Sequence, residues 1–254
     1  MRNQHHGNGG DMPKRDVRNI FVMTGSGISA ESGIQLYRSD TGLWANHKVE
    51  EVATVEALIR NPDKVIGFFD ERYAEVSKAE PNPAHDALFR LSQIEGVNMT
   101  IVTQNVDLLH ERAGSENVIH IHGDLATVVC ASCGKQADGR ENTLSASPCD
   151  ACGGRLRRDV VLFGEMPKKL DLIEEDFLNA GTYISIGTSG EVWPAAGYAK
   201  RARNRKLNTI EVNPRQTELS HFFDVKYRGL AGTEVPRMVD NLIREISSEP
   251  DPSP

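Results

Sequence analysis

The sequence predicts an α/β fold in which a doubly wound parallel sheet carries a second, smaller lobe. Two observations predict the sheet: short apolar runs rich in β-branched residues recur along the chain, and segments with helical spacing of apolar residues lie between several of them. A third observation predicts the smaller lobe, because all four cysteines fall within one short stretch that interrupts this alternation.

The apolar runs are short and nearly continuous, a pattern typical of parallel strands that are covered on both faces. The first run ends at a glycine-rich turn. The runs lie at residues 19–24, 99–103, 118–121, 159–163, 182–186 and 208–212. We expect all six to be buried parallel strands.

Between several of these runs, apolar residues recur at helical spacing. The pattern is clear in residues 83–94, where Ala84, Ala87, Leu88 and Leu91 share one face. Similar patterns cover residues 170–180, 195–205 and 235–246. Strands that alternate with helices predict a Rossmann-like, doubly wound sheet.

Two regions break the alternation and predict the smaller lobe. Residues 42–80 have a helical pattern without a strand, and residues 126–157 hold the cysteines. We expect the sheet domain to comprise residues 16–41, 81–125 and 158–246. The tails, residues 1–15 and 247–254, lack apolar residues to bury and are predicted to be disordered.

The charge balance bears on the partners. The 254 residues include 29 Lys and Arg against 36 Asp and Glu, a net charge of −7, which argues against a general binder of nucleic acid or anionic membranes. A local basic patch is still compatible with this balance. No stretch has the roughly 18 apolar residues of a membrane span, and the N-terminus lacks the apolar core of a secretory signal. We therefore expect a cytoplasmic protein with no direct nucleic-acid or membrane partner.

The cysteines form two CxxC pairs that suit a metal. Cys130 and Cys133 make one pair, and Cys149 and Cys152 make the second after fifteen intervening residues. Two such pairs can present four thiolates to one Zn²⁺ in tetrahedral geometry. Four thiolates leave no open coordination position, so we expect a structural zinc ion. Two disulfides or a redox-active CxxC are alternatives, disfavoured by the lack of a secretory signal and by the second CxxC.

A glycine-rich turn, residues 24–29, follows the first strand. Glycines there would let the backbone approach a pyrophosphate, whose charge the start of the next helix favours. Because Ala30 stands where a dinucleotide-binding pattern has its third glycine, a simple tight turn is an alternative. Polar residues also follow other predicted strands, at residues 104–107, 187–189 and 211–213. Ligands bind outside the carboxyl ends of strands in open α/β sheets, so these ends predict one binding crevice.

Six motifs, taken in order, resemble the sirtuin family. They are residues 25–34 (GSGISAESGI), 103–110 (TQNVDLLH) and 120–123 (HIHG), the paired CxxC motifs, and residues 163–167 (FGEMP) and 187–189 (GTS). The resemblance covers nearly the whole chain. It is strongest to bacterial sirtuins of the deacetylase/desuccinylase type, which share AESGI, GLW and GTSGxVxPAAG.

The resemblance implies an NAD-dependent protein-lysine deacylase. Such an enzyme transfers an acyl group from lysine to ADP-ribose and releases nicotinamide, free lysine and O-acyl-ADP-ribose. The HG motif implies that His122 is the general base, a role suited to a pKa of about 6.5. Catalytic roles in the nicotinamide pocket are implied for Asn105 and Asp107. The alternative for His122 is a packing histidine at a strand end, and His110 is expected to be a buried hydrogen-bonding residue.

The same resemblance implies an NAD site along the crevice. The glycine-rich turn and the loop after it would border the pyrophosphate, residues 104–107 the nicotinamide and its ribose, and the later strand ends the adenosine. The implied cofactor residues are Gly25, Ser26, Gly27, Ile28, Ser29, Glu31, Arg38, Trp44, Gln104, Asn105, Val106, Asp107, Gly187, Thr188, Ser189, Asn213, Pro214, Arg215 and Ala231.

The resemblance also implies a substrate site. Backbone groups of an added strand of substrate peptide would meet Val161, Phe163, Gly164 and Glu165.

Relatives that accept succinyl- or malonyl-lysine carry Tyr-x-x-Arg on the insertion helix, and Phe69 and Arg72 stand at those positions here. One charge-assisted hydrogen bond is worth about 1.5–3 kcal/mol. We therefore expect deacetylation, with weaker removal of acidic acyl groups. The alternative is that Arg72 pairs on the surface with Glu71 or Glu75.

Other functions fit parts of the pattern. A zinc-ribbon binding module would explain the cysteines alone, and an NAD-dependent dehydrogenase would explain the glycine-rich turn but not His122 and Gly123 beside the zinc module. Protein mono-ADP-ribosyl transfer, or deacylation of another acyl chain, is the main alternative among enzymes.

Overall fold

The computed structural model of the protein describes residues 16–35, 48–140 and 147–248. The described strands are β1 (Asn19–Thr24), β2 (Asn98–Thr103), β3 (Val118–His120), β4 (Gly123–Cys130), β5 (Gln136–Asp138), β6 (Leu156–Val160), β7 (Thr182–Ile186), β8 (Asn208–Val212) and β9 (Val225–Tyr227). The described helices are α1 (Val49–Val52), α2 (Val55–Arg60), α3 (Pro62–Val76), α4 (Pro83–Ser92), α5 (Leu109–Arg112), α6 (Leu170–Asn179), α7 (Ala195–Asn204) and α8 (Ala231–Ser248). Among these helices there is none with the length and apolar character of a membrane span.

Six of the described strands form one parallel sheet in the order β3-β2-β1-β7-β8-β9. The strand order runs outward in one direction from β1 through β2 to β3, and in the other direction from β7 to β9. The register sets Thr24 of β1 level with Thr103 of β2 and Ile186 of β7. The carboxyl ends of these three strands therefore meet at the reversal of strand order, which is where ligands bind in open α/β sheets.

The alternation of side chains along β1 explains why helices cover both faces of this sheet. Ile20 and Val22 are buried in one cluster together with residues of α4 and α8. Phe21 and Met23 point to the opposite face and are buried with residues of α6 and α7. The strand is thus covered on both sides, as its continuous apolar run predicted.

The smaller lobe combines helices α1 to α3 with an antiparallel sheet in the order β5-β4-β6. Phe68 and Phe69 of α3 pack in one buried cluster with Leu125, Val160 and Leu162. The predicted fold class is confirmed: a Rossmann-like parallel sheet carries a smaller lobe built from a helical part and a sheet that holds the cysteines.

Arg158 of β6 ties the two parts of the smaller lobe together. Its side chain is only 1% exposed, and its Nε donates to Oδ1 of Asp70 on α3 at 2.7 Å. Its Nη1 donates to the carbonyl oxygen of Leu125 at 2.9 Å, and its guanidinium lies 4.0 Å from the ring centroid of Tyr73. The insertion helix and the small sheet therefore hold each other in place through one buried cation.

The prediction of a parallel strand at residues 159–163 was wrong. The chain there belongs to β6, which pairs antiparallel with β4 in the small sheet, and Phe163 forms an isolated bridge with Thr54. Val160 and Leu162 are apolar because they pack under the insertion helices, not because parallel strands flank them. β9 was not predicted, since it is a three-residue edge strand with two exposed side chains.

Candidate active site

A cleft of about 300 Å³ opens at the carboxyl ends of β1, β2 and β7, between the main sheet and the smaller lobe. Its lining comes from the glycine-rich turn, the loop after β2, the segment after β6 and the loop after β7. The lining residues include Gly25, Ser26, Gln104, Asn105, Val106, His122, Val161, Phe163, Gly164, Glu165, Gly187, Thr188 and Ser189. Many of the sequence-predicted site residues are thus brought to one place. Predicted cofactor residues that do not line this cleft include Ile28, Glu31, Asn213, Pro214, Arg215 and Ala231. Arg38 and Trp44 lie outside the described residues.

The glycine-rich turn touches the loop after β7 closely. The backbone N–H of Gly25 donates to the carbonyl of Ile186, and that of Gly27 donates to the carbonyl of Gly187, both at 3.0 Å. A Cβ at Gly27 would lie 2.6 Å from the Cα of Gly187, which itself has φ of +61°. Backbone groups of two strand ends can meet at this distance only because neither residue has a side chain. Ser26 to Ile28 form a short 3-10 helix instead of a full helical start.

A buried polar network lies beneath the turn. The Ser29 hydroxyl donates to Oδ2 of Asp107 at 3.0 Å and accepts from Nδ2 of Asn105 at 3.0 Å. Oδ1 of Asp107 accepts from the backbone N–H of Leu109 at 3.1 Å. Burial raises the pKa of Asp107, while these two hydrogen bonds act against that rise. Oδ1 of Asn105 is buried and has no hydrogen-bond partner in the described part of the chain, so it is an acceptor that can serve a ligand.

The ring of His122 lines the cleft and has a defined proton arrangement. Its Nδ1 lies 3.1 Å from the carbonyl oxygen of Gln104, which can only accept, so Nδ1 carries the proton and Nε2 keeps its lone pair. Burial lowers the pKa of His122, and the bond to Gln104 opposes this only in part. The ring is therefore neutral and basic near pH 7. Gly123 follows with φ of +74°, and a Cβ there would lie 1.8 Å from the carbonyl oxygen of Asp159, so only glycine fits.

Beyond the loop after β7, which lines the cleft, lies the turn that follows β8. Nδ2 of Asn213 donates to the carbonyl oxygen of Thr188 at 2.8 Å, and Oδ1 of Asn213 accepts from the N–H of Arg215 at 3.2 Å. Asn213 thereby joins the loop after β7 to the turn that holds Pro214 and Arg215.

Glu31 lies at the start of α8, where its Oε2 accepts from the N–H of Gly232 at 2.5 Å, next to the buried Ala231. Carboxylates are favourable at helix N-termini, so the contact gives Glu31 a role in fixing α8. The sequence did not indicate this contact.

A second, small cavity of about 20 Å³ adjoins the cleft and contains both acyl-pocket residues. Phe69 and Arg72 line it together with Ser29, Asn105 and Asp107 among others. The Arg72 side chain is 13% exposed, and its Nη1 lies 2.5 Å from Oε2 of Glu75. Arg72 is thus directed to the cavity and paired on its own helix, so the structure combines the two readings that the sequence left open.

The segment after β6 is fixed by contacts on both sides. The Phe163 N–H donates to the carbonyl of Ala53 at 2.9 Å, and its carbonyl accepts from Val55 at 3.1 Å, so this backbone is already paired. The N–H of Val161 donates to the carbonyl of His122 at 2.8 Å. Glu165 accepts from the Leu162 N–H at 2.8 Å and pairs with Arg157. Phe163 therefore offers its 56%-exposed ring to the cleft, not its backbone.

The four cysteines converge at one end of the small sheet. All four Sγ atoms lie within 4.8 Å of one another, with 3.5 Å between Cys130 and Cys152 and 3.7 Å between Cys133 and Cys149. A zinc ion with bonds of about 2.3 Å needs sulfur separations of about 3.8 Å. The cysteines are not disulfide-bonded, and the donor set and spacing fit one tetrahedral zinc ion.

His120 and Glu111 form a contact to which the sequence motifs assigned no role. His120, at the end of β3, is 9% exposed and contacts both the Asn105 carbonyl and the Glu111 carboxylate. His120 belongs to the HIHG motif, which marks it as a candidate. Its partner Glu111 lies nine residues earlier, on helix α5, and the motif does not indicate it.

Parallel-sheet architecture, a glycine-rich turn and a cleft histidine together define a nucleotide-binding α/β protein. The Sir2 family model matches residues 25–194, and the chain belongs to the Sir2 family. An NAD-dependent protein deacylase of Bdellovibrio bacteriovorus is 45% identical over 236 residues, which are 91% of this chain and 100% of that protein.

Solved structures are similar as well. A Sir2 homologue in complex with NAD superposes with a TM-score of 0.82 at 37% identity, over 96% of this chain and 98% of that one. A Sir2 protein bound to a myristoylated histone peptide gives a TM-score of 0.69 at 30% identity, over 92% and 96% of the two chains.

Proposed function

We propose that this protein is an NAD-dependent protein-lysine deacylase. The observation that carries the proposal is the position of His122: a neutral, oriented imidazole stands in the same cleft as the glycine-rich turn. The family membership and the names of the similar proteins, which include NAD-dependent protein deacylases and an NAD complex, support it.

The residues of the cleft fit NAD. Gly25 and Gly27 leave room for a pyrophosphate against the strand ends, where added Cβ atoms would collide with Gly187. The unpartnered Oδ1 of Asn105 can accept a hydrogen bond from a carboxamide N–H, a group that nicotinamide carries. When bound, NAD supplies the ADP-ribosyl group to which the acyl group is transferred.

His122 is the group that moves the proton. Its Nε2 can take a proton from a hydroxyl group held in the cleft, while the Gln104 carbonyl keeps the ring in the tautomer that leaves Nε2 free. General-base assistance contributes about 10²–10⁴-fold in rate. Asn105 and Asp107 bind and orient the nicotinamide portion through their shared bond network with Ser29. The zinc ion shapes the small sheet and takes no part in the reaction, because its four thiolates leave no open position.

The substrate is an acylated lysine in a protein or peptide, as in the related protein with a myristoylated histone peptide. The mouth of the cleft exposes Phe163, Met166 and Trp193, which are 56%, 72% and 67% accessible. Large apolar side chains at the mouth of a cleft can cover the aliphatic stem of a lysine.

For the acyl group, we propose that acetyl is preferred and that succinyl and malonyl are accepted less well. Phe69 has no hydroxyl to offer a distal carboxylate, and the Arg72 charge is partly satisfied by Glu75.

The test follows two peptides of identical sequence, one with acetyl-lysine and one with succinyl-lysine, by mass spectrometry with and without NAD. We expect NAD-dependent acyl loss that the His122→Ala variant abolishes and that His221→Ala, which changes an exposed histidine elsewhere, retains. ADP-ribose attached to protein instead of the released acyl group would overturn the proposal in favour of mono-ADP-ribosyl transfer.

The Arg72→Ala variant tests the acyl preference separately. We expect it to lose succinyl removal while acetyl removal changes little. An unchanged ratio of the two rates would show that Arg72 does not read the acyl group.

A further inference from the structure

His120 lies between a charged partner and the loop that forms the nicotinamide end of the cleft. Its ring ends β3 and is nearly buried, with a side chain that is 10% exposed. Nδ1 lies 2.9 Å from the carbonyl oxygen of Asn105, and Nε2 lies 2.7 Å from Oε1 of Glu111 on α5. The ring therefore bridges a helix and the loop that follows β2.

The partners of the ring decide its protonation state. A carbonyl oxygen only accepts, and an ionised carboxylate only accepts, so both ring nitrogens of His120 must donate. A ring that donates from both nitrogens is an imidazolium. His122, two residues later, differs because only its Nδ1 faces an acceptor among the residues that the structure describes. Two histidines that are two residues apart thus differ in charge: His120 is a cation and His122 is neutral.

The bond to Asn105 has consequences for the catalytic loop. Residues 104–107 supply the Gln104 carbonyl that orients His122, the Asn105 amide in the small cavity, and the Asp107 carboxylate. A charge-assisted hydrogen bond to the backbone in the middle of this loop restrains all three groups. A loop without such a bond would be held there by weaker neutral contacts.

We propose that Glu111 and His120 form a charged positioning pair that fixes the loop 104–107 in its reactive conformation. Neither side chain contacts the reacting atoms, so each acts through the loop. The inference rests on the proposed deacylase activity, because its consequence for catalysis is read from that reaction.

Several charged or titratable groups surround the ring. Glu111 faces it from α5, Asp124 from β4, and Asp107 and His110 from the loop after β2 and its helix. Burial lowers the pKa of His120, but the hydrogen bond and charge of Glu111, together with Asn105 and Asp124, outweigh it and raise the pKa overall.

The first experiment measures the protonation of His120 in the wild-type protein and does not depend on enzymatic activity. Nitrogen-15 chemical shifts of the His120 ring at about pH 7.5 distinguish an imidazolium from either neutral tautomer. We expect both nitrogens to be protonated at His120, and Nδ1 alone at His122. A neutral His120 ring would overturn the proposal whatever the protein catalyses.

The second experiment compares the Glu111→Gln variant with Glu116→Gln, which removes the same charge from an exposed residue five positions later. We expect Glu111→Gln to lower kcat about tenfold near pH 8, with little change in KM for the peptide, because one charged hydrogen bond is lost. In this variant the His120 ring should lose one of its two protons at about pH 7.5, because burial disfavours the charged ring and the Glu111 carboxylate that favours it is gone. Glu116→Gln should follow the wild type.

The outcomes separate the inference from the proposed function. If the wild type has no NAD-dependent deacylation, the proposed function fails, while the ring shifts still decide the protonation of His120. If Glu111→Gln keeps a doubly protonated His120 ring, or matches Glu116→Gln in kcat, the positioning pair is wrong. Should Glu111→Gln not fold, the wild-type ring shifts and the kinetics of His120→Gln carry the test, since that variant should lose kcat with little change in KM.

Discussion

At the scale of single residues, the environment assigns different chemistry to side chains of one type. His122 is neutral with a free Nε2, because a carbonyl holds its Nδ1 and burial lowers its pKa. His120 is paired with Glu111, which raises its pKa against the effect of burial. His110 is buried against Thr24, and burial lowers its pKa well below the ordinary value. These three histidines look alike in the sequence. Their contacts in the fold make one a neutral ring with a free nitrogen, one a cation and one a neutral packing residue.

The contact between Gly27 and Gly187 gives a prediction at this scale. Gly27→Ala places a methyl group 2.6 Å from a backbone Cα, and backbone atoms cannot move aside as a side chain can. We expect a loss of about 1–3 kcal/mol in unfolding free energy, as for overpacked sites, and weaker NAD binding. Denaturant unfolding and NAD titration calorimetry measure the two effects.

The control for this substitution is Gly197→Ala, whose added Cβ would meet no atom within 4 Å on helix α7. It should leave NAD binding unchanged and raise stability by about 0.5–1 kcal/mol, because alanine favours a helix over glycine. Equal effects of the two alanine variants would contradict the close approach of the two loops.

At the scale of elements, helix α3 serves two sites with two faces. Phe69 and Arg72 are three residues apart and line the small cavity, and Asp70 and Tyr73 are three apart and hold Arg158. Residues at this spacing share one helix face, so the small cavity and the anchor to the small sheet occupy adjacent faces of α3.

Glu75 gives the prediction that belongs to this helix. Its carboxylate lies 2.5 Å from Arg72 and would compete with a substrate carboxylate for that cation. Since the Glu75 side chain is 66% exposed, the pair is worth about 0.2–1 kcal/mol. We expect Glu75→Gln to raise the ratio of succinyl to acetyl removal about two- to fivefold, measured with the matched peptides. Glu71→Gln removes an exposed glutamate of the same helix and should leave the ratio as it is.

The elements also show how far the sequence could predict the fold. Five of the six strands of the main sheet, all except β9, and its long helices were recognisable because each has its own apolar periodicity, and the cysteine spacing indicated the metal cluster. The run at residues 159–163 misled because an apolar stretch reports burial and not the neighbour that causes it. The Glu31 contact with Gly232 and the Arg158 contact with Asp70 were beyond prediction, since 201 and 88 residues separate the partners.

At the scale of the whole molecule, the zinc cluster and the cleft are mechanically connected. The cysteines close one end of the small sheet, Arg158 joins that sheet to α3, and α3 lines the small cavity beside the cleft. Loss of the metal ion should therefore disturb the position of α3 beside the cleft, although the ion takes no part in the reaction.

We expect one zinc ion per chain, and we expect chelation to abolish deacylation and to destabilise the protein. A structural ion that contributes about 5 kcal/mol would lower Tm by roughly 10–20 °C in a chain of this size. Elemental analysis, calorimetry and activity after chelation measure these effects, and re-addition of zinc should restore them. Full activity in a metal-free sample would contradict the connection.

The dependence of stability on pH also belongs to the whole molecule, and buried His85 contributes to it on the acid side of neutrality. This residue is fully buried at the start of α4, where its Nδ1 accepts from the N–H of Asn82 at 3.3 Å. Burial lowers its pKa from 6.5 to about 4. Between these pH values the unfolded chain binds a proton that the native protein excludes, so stability must fall as the pH drops. The difference amounts to about 3 kcal/mol, and His110 adds in the same direction.

Urea unfolding at a series of pH values tests this, with His85→Gln as the informative variant. Glutamine at the third position of a helix can still reach back to the N-cap N–H, so the capping of α4 is kept while the titrating group is removed. We expect the variant to lose less stability than the wild type between pH 6.5 and about 4, and His221→Gln, at an exposed position, to follow the wild type. Parallel curves for wild type and His85→Gln would mean that His85 is protonated in the native protein, against the burial that the fold imposes on it.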